Sequence, residues 1–171
     1  MGMNKIIKLS LSIIILLCAI LPYLNSSDKS GALETISSIG VVGIAILIIT
    51  FFVAIAYYCQ ALQKCLTLIA PQNRKATPKS VWYMFLMPFN FIEDFFIMIN
   101  ISNSLEEEAK HNNKLSGIKD FGMITGMGWS IAQILSFVPN IAGQMAGALG
   151  IVLWIIHWRF IIKINKLLIT N

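Results

Sequence analysis

The sequence predicts an all-α fold, an integral membrane helical bundle with four transmembrane helices and one interfacial or re-entrant amphipathic helix. Of the 171 residues, 57% are hydrophobic and only 12% are charged, whereas a soluble domain typically carries about 25% charged residues. Mean hydropathy is +0.75, and the charged residues lie at the edges of long apolar runs. The apolar surface therefore exceeds what water can solvate, and lipid must cover the rest.

The chain has the length of one compact unit, and no Gly/Ser/Pro-rich linker divides it. We therefore expect a single membrane domain over residues 1–171. The formal net charge of +5 does not indicate a nucleic-acid partner, because the basic residues flank apolar runs instead of clustering on a solvated face. The expected partner is the lipid bilayer.

Two spans are predicted by intervals that contain no charged residue, 9–27 and 35–63. Each interval is long enough for the roughly 17 to 25 residues that cross a hydrocarbon core. We expect spans at about 9–24 and 38–60. The first is expected to stay uncleaved, because no small-residue cleavage site follows it.

A second long interval, residues 121–158, also lacks Asp, Glu, Lys and Arg. As one helix it would be about 57 Å long, nearly twice the thickness of the hydrocarbon core. Pro139 and Asn140 lie near its middle, and these residue types favour a tight turn. The interval therefore predicts a hairpin of two spans, at about 121–138 and 141–158.

The distribution of basic residues tests whether residues 80–105 also cross the membrane. If all five apolar segments cross, six basic residues lie on one side and seven on the other. If 80–105 enters and leaves on one side, or lies along the surface, twelve face the cytoplasm and only Lys29 lies outside, which agrees with the positive-inside rule. A third arrangement, in which 80–105 spans and 121–158 crosses once, gives nine to four and stays open. We expect an interfacial or re-entrant helix at about 81–104 and cytoplasmic termini.

The polar residues of this amphipathic helix share about 140° of its circumference at 100° per residue. The candidate functional residues on that face are Asn90, Glu93, Asp94 and Asn100. One interpretation has the acidic pair solvated or paired with nearby lysines. The other has the pair facing a cavity or a partner subunit, since an ionisable residue at membrane depth is a functional hypothesis.

Glycines recur at four-residue spacing in the predicted hairpin, a pattern that lets helix backbones approach closely in lipid. The candidate helix-packing residues are Gly122, Gly126, Gly143, Gly147 and Gly150. The packing they mediate is either internal to the hairpin or against another subunit.

Aromatic and basic residues near helix ends are typical of anchors at the membrane interface. The candidate anchors are Trp82, Tyr83, Trp154, Trp158 and Arg159. His157 lies among them, and we expect no separate functional role for it.

No motif for catalysis, phosphate binding or metal binding occurs in the chain. The three cysteines lie in or beside apolar runs without a CxxC pair, and the two histidines lie in different segments. The sequence therefore predicts no catalytic residue, no cofactor-binding residue, no metal ligand and no cofactor.

Four short motifs resemble the pattern of a family of small uncharacterised bacterial multi-pass inner-membrane proteins. They are Val81-Trp82, Pro88-x-Asn90, Ser104-Leu105 followed by glutamates, and the segment from Trp154 to Trp158, within residues 78–168. The resemblance implies a bacterial inner (cytoplasmic) membrane protein and no assigned reaction. The chain departs from the family pattern at Glu93-Asp94 and at His157, where tyrosine is expected.

These observations favour a non-enzymatic membrane component that packs with itself, as a homo-oligomer, or with another subunit of a larger membrane complex. The first alternative is a small oligomeric channel or transporter that uses Glu93 and Asp94. The second is an intramembrane enzyme acting on lipid, which lacks a recognisable acid, base or metal constellation.

Overall fold

The computed structural model describes residues 5–25, 30–86 and 90–170, and within these ranges every regular element is a helix. The all-α prediction is therefore confirmed for the described residues, while Pro88 of the family-like motif lies outside them. The α-helices are α1 Lys5–Asn25, α2 Ser30–Leu68, α3 Asn90–Ala109, α4 Met123–Leu135 and α5 Ile141–Ile169, and 3₁₀ helices cover Pro71–Asn73, Pro78–Phe85 and Asn113–Leu115.

Two helices are long and apolar enough to cross a membrane, Val42–Leu68 of α2 and Ile141–Ile169 of α5. Their 27 and 29 residues rise about 40 and 44 Å. Gly40 interrupts α2 with φ 71° and ψ 160°, a conformation that glycine adopts without steric cost. Both helices run beyond the predicted limits of 38–60 and 141–158, because their last turns alternate packed apolar and exposed basic residues.

Of the other two predicted spans, one differs from the structure. The predicted span 121–138 contains α4, whose 13 residues rise only about 20 Å, less than the roughly 30 Å hydrocarbon core. The predicted span 9–24 lies within α1, whose 21 residues rise about 32 Å, and its crossing of the membrane stays a prediction. The hairpin turn is confirmed, since Asn140 caps α5 by accepting a hydrogen bond from the backbone of Gly143 at 3.0 Å.

The two long helices run parallel, and their carboxyl-terminal parts pack together. The Tyr58 hydroxyl of α2 contacts His157 of α5, and further along both helices the Ala61 carbonyl accepts from the Asn165 side chain at 2.9 Å. The exposed apolar side chains instead concentrate in 42–53 of α2 and 141–156 of α5. The two helices therefore end at the same side of the molecule.

The predicted helix 81–104 is two segments that lie against α2. The first is the 3₁₀ helix Pro78–Phe85. Its Trp82 donates a hydrogen bond to Gln63 at 2.6 Å, and its Phe85 ring stacks on Phe52 with 6.1 Å between the ring centres. This segment therefore runs along α2 from its last third toward its middle.

The second segment, α3, returns to the end of α2. The backbone N–H of Ala70 donates to the Glu108 carboxylate at 3.0 Å, and the Asn73 side chain donates to the same oxygen at 2.8 Å. The first residues of α3 lie instead near the middle of α2, where Asn90 and Phe51 border one cavity. Residues 78–109 therefore begin and end at the same end of α2, as a re-entrant segment does.

Candidate functional site

The two adjacent carboxylates of α3 lie in different environments, and Glu93 is paired. Lys8 of α1 places its Nζ 2.8 Å from Glu93 Oε1, and each side chain is only 14% exposed. Lys8 Nζ also lies 4.0 Å from the centre of the Phe96 ring, a cation–π contact. The ion pair docks α1 on α3 and neutralises a carboxylate that lipid would disfavour.

This position places Lys8 far from Lys75, which pairs with Glu107 at the other end of α3. The sequence groups Lys8 with the basic residues near Lys75, but Glu93 precedes Glu108 by 15 residues, about 22 Å along α3. Glu108 is the residue that bonds at the end of α2. Lys8 is therefore held at the opposite end of α3 from Lys75, because the carboxylate there offers it a partner.

Asp94 has no such partner. It is 2% exposed, and its Oδ1 atom makes no hydrogen bond to the described residues. Burial raises the pKa of the Asp94 carboxyl well above its usual value, and the nearby charge of Glu93 raises it further. α3 thus carries a carboxyl group that holds its proton at neutral pH more readily than a solvated aspartate does.

Much of the polar face of α3 turns inward, whereas one interpretation of the sequence left this face to solvent or to nearby lysines. Ser104 is fully buried and accepts a hydrogen bond from the backbone of Lys75 at 2.8 Å. Ile97 and Ile101, which share the angular range of the polar residues, are buried as well. The reason is that neighbouring helices supply polar partners that lipid cannot supply.

Asp94 borders a cavity of about 400 Å³ enclosed by α2, α3, α4 and α5 and the end of the 3₁₀ helix. Its polar lining includes Asn90, Asp94, Gln133 and Ser136, and the Asn90 Oδ1 atom and the Trp154 Nε1 donor also lack partners among the described residues. The remaining lining is mostly apolar and aromatic. A largely apolar cavity with a few convergent polar groups is the usual form of a small-molecule site.

An aromatic cluster forms the inner wall of this cavity around Tyr58. The Tyr58 hydroxyl lies 2.7 Å from His157 Nδ1, and both residues are buried. The Tyr58 ring makes edge-to-face contacts with Trp129 and Trp154 at centre distances of 5.8 and 5.7 Å and with Trp158 at 5.9 Å. The cluster joins α2, α4 and α5, and such contacts stabilise beyond their buried area.

Neither Tyr58 nor His157 stands out in the sequence as a candidate functional residue. Tyr58 is one aromatic in a long apolar run, and His157 resembles part of an interfacial anchor beside Trp158 and Arg159. A signal was present, since Trp154, His157 and Trp158 are spaced i, i+3 and i+4 and therefore share one helix face. A polar residue within such a face indicates a packed partner.

The first two glycines of the predicted packing set leave room for His157. A Cβ at Gly122 would lie 2.9 Å from His157 Nε2, and a Cβ at Gly126 would lie 3.2 Å from the same atom and 2.8 Å from Met98 Sδ. Gly122 also has φ 83° and precedes α4. These glycines therefore let α4 approach α3 and the imidazole ring of α5.

The other glycines of this set lie within the hairpin of α4 and α5. A Cβ at Gly143 would lie 1.9 Å from the Val138 carbonyl oxygen. At Gly147 it would lie 3.4 Å from Ser136 Cβ, and at Gly150 it would lie 3.3 Å from Ala132 Cβ. In the described structure all three face α4 or its connection to α5.

The remaining predicted residues are spread around the molecule. Asn100 is half-buried, and its carbonyl accepts from the Ser104 hydroxyl at 2.5 Å. Tyr83 and Arg159 are exposed, as interfacial anchors would be, and Trp82 is half-buried. Trp154 and Trp158 pack on Tyr58, so their rings belong to the aromatic cluster.

Among the described residues, no group of three or more His, Cys, Asp or Glu side chains is placed to hold a metal ion. Cys59 and Cys65 are free and fully buried. In the part of the chain that the structure describes, the protein is all-helical and has two helices suited to crossing a membrane. Comparison with known proteins finds no matching family model, no similar curated protein and no similar solved structure.

Proposed function

We propose that this chain is a non-enzymatic integral membrane component that associates with itself or with a larger membrane complex. The observation that carries the proposal is the exposed apolar surface on residues 42–53 of α2 and 141–156 of α5. Contiguous apolar surface of this extent is typical of contact with lipid or with another protein. The parallel α2 and α5 span the bilayer, and residues 78–109 form a re-entrant segment between them.

The orientation follows from the basic residues at the end where α2 and α5 terminate. Lys75 and Lys110 both pair with Glu107, at 3.7 and 2.9 Å, and Lys114 donates to the carbonyl of Thr170. The positive-inside rule assigns this end to the cytoplasm. The carboxyl terminus is therefore cytoplasmic, in a bacterial inner membrane as the family resemblance implies, and the cytoplasmic amino terminus stays a prediction.

The experiment that tests this proposal is native mass spectrometry of the protein extracted in a mild detergent, with identification of co-purifying chains. A different protein at fixed stoichiometry, or a closed ring of identical chains, is the expected result. A protein that alkaline carbonate releases from membranes would contradict the integral assignment. A lone chain in every mild detergent, with no cross-linked species in intact membranes, would contradict association.

The second candidate, a small oligomeric channel or transporter, is favoured by the position of Asp94 and Asn90 on the cavity. It uses Asp94 rather than the acidic pair, since Glu93 is engaged by Lys8. Flux through reconstituted protein that is lost in Asp94→Asn supports this candidate, and flux unchanged in Glu93→Gln/Asp94→Asn rejects it. An intramembrane enzyme acting on lipid has the least support, because no acid, base or metal constellation has been identified in the described residues.

A further inference from the structure

The cavity beside Asp94 has the composition of a site for a positively charged ligand. Two side-chain oxygens, Asp94 Oδ1 and Asn90 Oδ1, are buried without a hydrogen-bond partner among the described residues. Buried acceptors of this kind leave a free-energy cost that a donor or a cation relieves. Glu93 beside them is already neutralised by Lys8, so Asp94 is the carboxylate left for a ligand.

The walls of the cavity favour a cation with an apolar body. Four aromatic residues line it, Phe51, Tyr58, Trp129 and Trp154, and the faces of aromatic rings attract cations, most strongly where water is excluded. A volume of about 400 Å³ lies within the range of sites that enclose drug-sized molecules. A hydrated inorganic ion would leave most of this apolar wall without a contact.

We propose that this cavity binds a lipophilic cation, with Asp94 as the counter-ion and the surrounding aromatic rings as the walls. The binding site goes beyond the proposed membrane component, because it does not depend on how the chain associates. Two sources share this chemistry, a free lipophilic cation and the ammonium headgroup of a lipid.

Binding of a cation at Asp94 favours release of the proton that this carboxyl group holds. Burial raises the pKa of Asp94 and so favours the carboxylic acid in the empty site. Where that acid is present, its O–H bond breaks as the cation arrives, and the proton passes to solvent. The other ionisable groups near Asp94 are Glu93 of α3, paired with Lys8 of α1, and Tyr58 and Cys59 of α2. The cavity-lining residues of α4 and α5 are uncharged.

The test uses two probes of the same shape and opposite charge, tetraphenylphosphonium and tetraphenylborate. Binding to the full chain in a non-ionic detergent is measured by isothermal titration calorimetry. The phosphonium is expected to bind at least tenfold more tightly than the borate, and its affinity is expected to rise with pH by up to about tenfold per unit while Asp94 is largely protonated. Equal binding of both probes to the wild-type protein, or an affinity for the phosphonium that does not change with pH, overturns the proposal.

A matched pair of variants assigns the effect to Asp94. Asp94→Asn keeps the shape and removes the charge, and it is expected to weaken phosphonium binding at least tenfold and to abolish its pH dependence. Glu107→Gln makes the same change in α3, 13 residues away at the exposed end where Glu107 pairs with Lys75 and Lys110, and it should bind as the wild type does. Unchanged binding by a folded Asp94→Asn protein overturns the assignment.

A last arm identifies the source of the cation. Bound phosphonium is challenged with phosphatidylethanolamine, which carries an ammonium headgroup, and with phosphatidylglycerol, which does not. Selective displacement by phosphatidylethanolamine supports the site with a lipid headgroup as its ligand, and displacement by neither supports it with a free cation. Displacement by both lipids alike overturns the site's preference for cations.

Discussion

The hydroxyl of Tyr58 lies 2.7 Å from Nδ1 of His157, and this hydrogen bond joins the two parallel helices α2 and α5 in the interior. Both residues are buried, and Tyr58 is also 3.6 Å from Met98 Sδ of α3. The pair therefore links the helices most suited to spanning the membrane with the segment that carries Asp94.

Removing this hydroxyl should destabilise the protein. Tyr58→Phe keeps the ring contacts and leaves a buried imidazole nitrogen unpaired, which typically costs about 1–3 kcal/mol. The matched control is Tyr57→Phe, since Tyr57 is 60% exposed. Thermal unfolding in detergent should show a lower midpoint for the first variant only, and equal midpoints would contradict the role of this hydrogen bond.

The ion pair between Lys8 and Glu93 should couple α1 to α3. In a double-mutant cycle of Lys8→Met and Glu93→Gln, each single change strands a partly buried charge, whereas the double change removes both charges. We expect a coupling free energy of about 0.5–3 kcal/mol, as for residues in direct contact. Strictly additive changes in the free energy of unfolding would show that α1 docks by other contacts.

The stability of the protein should depend on pH through Asp94. Its pKa is raised in the folded state and is about 3.9 in an unfolded chain, so above that value the folded state binds more protons than the unfolded state. Protonated Asp94 therefore makes its full contribution to the free energy of unfolding below about pH 4. This contribution declines as pH rises toward the pKa of Asp94 in the folded state. Unfolding midpoints between pH 5 and pH 9 should therefore fall less steeply in Asp94→Asn than in the wild type, and parallel profiles would refute this.

The turn between α4 and α5 should tolerate no side chain at Gly143. A Cβ there would lie 1.9 Å from the Val138 carbonyl oxygen, whereas a Cβ at Gly117 would meet open space. Gly143→Ala should therefore lose the monodisperse elution peak in detergent that Gly117→Ala retains. A stable Gly143→Ala protein would mean that the hairpin turn has a different geometry.

The parts of the fold that depend on local sequence are predictable, and the parts that depend on pairing are less so. Charge-free runs identify α2 and α5, and Pro139-Asn140 marks the hairpin turn between α4 and α5, because hydropathy and turn chemistry act over few residues. The sequence does not reveal how short α4 is. A span is predicted over 121–138, because the apolar residues on either side of α4 resemble helix in composition. The extension of α5 beyond 158 is missed because Arg159 and Lys163 look like a boundary, although exposed basic residues continue the helix.

The candidate site depends on contacts between distant segments. Asp94 and Glu93 stand out in the sequence as carboxylates in an apolar run, but nothing local reveals which of them is paired. The partner of Glu93 is Lys8, 85 positions earlier in the chain. The partner of Tyr58 is His157, 99 positions later, and such pairs are set by helix packing that a single sequence does not encode locally.

The central structural claim is that residues 78–109 enter and leave at one face of the membrane. It is tested by placing single cysteines at Lys79 and Lys114, both exposed, in a background where the native cysteines are replaced by alanine. Each variant is treated with a membrane-impermeant maleimide in right-side-out spheroplasts and in inverted membrane vesicles. The account predicts that both positions react only in inverted vesicles. Labelling of Lys79 from one side and of Lys114 from the other would show that the segment crosses the bilayer and would contradict it.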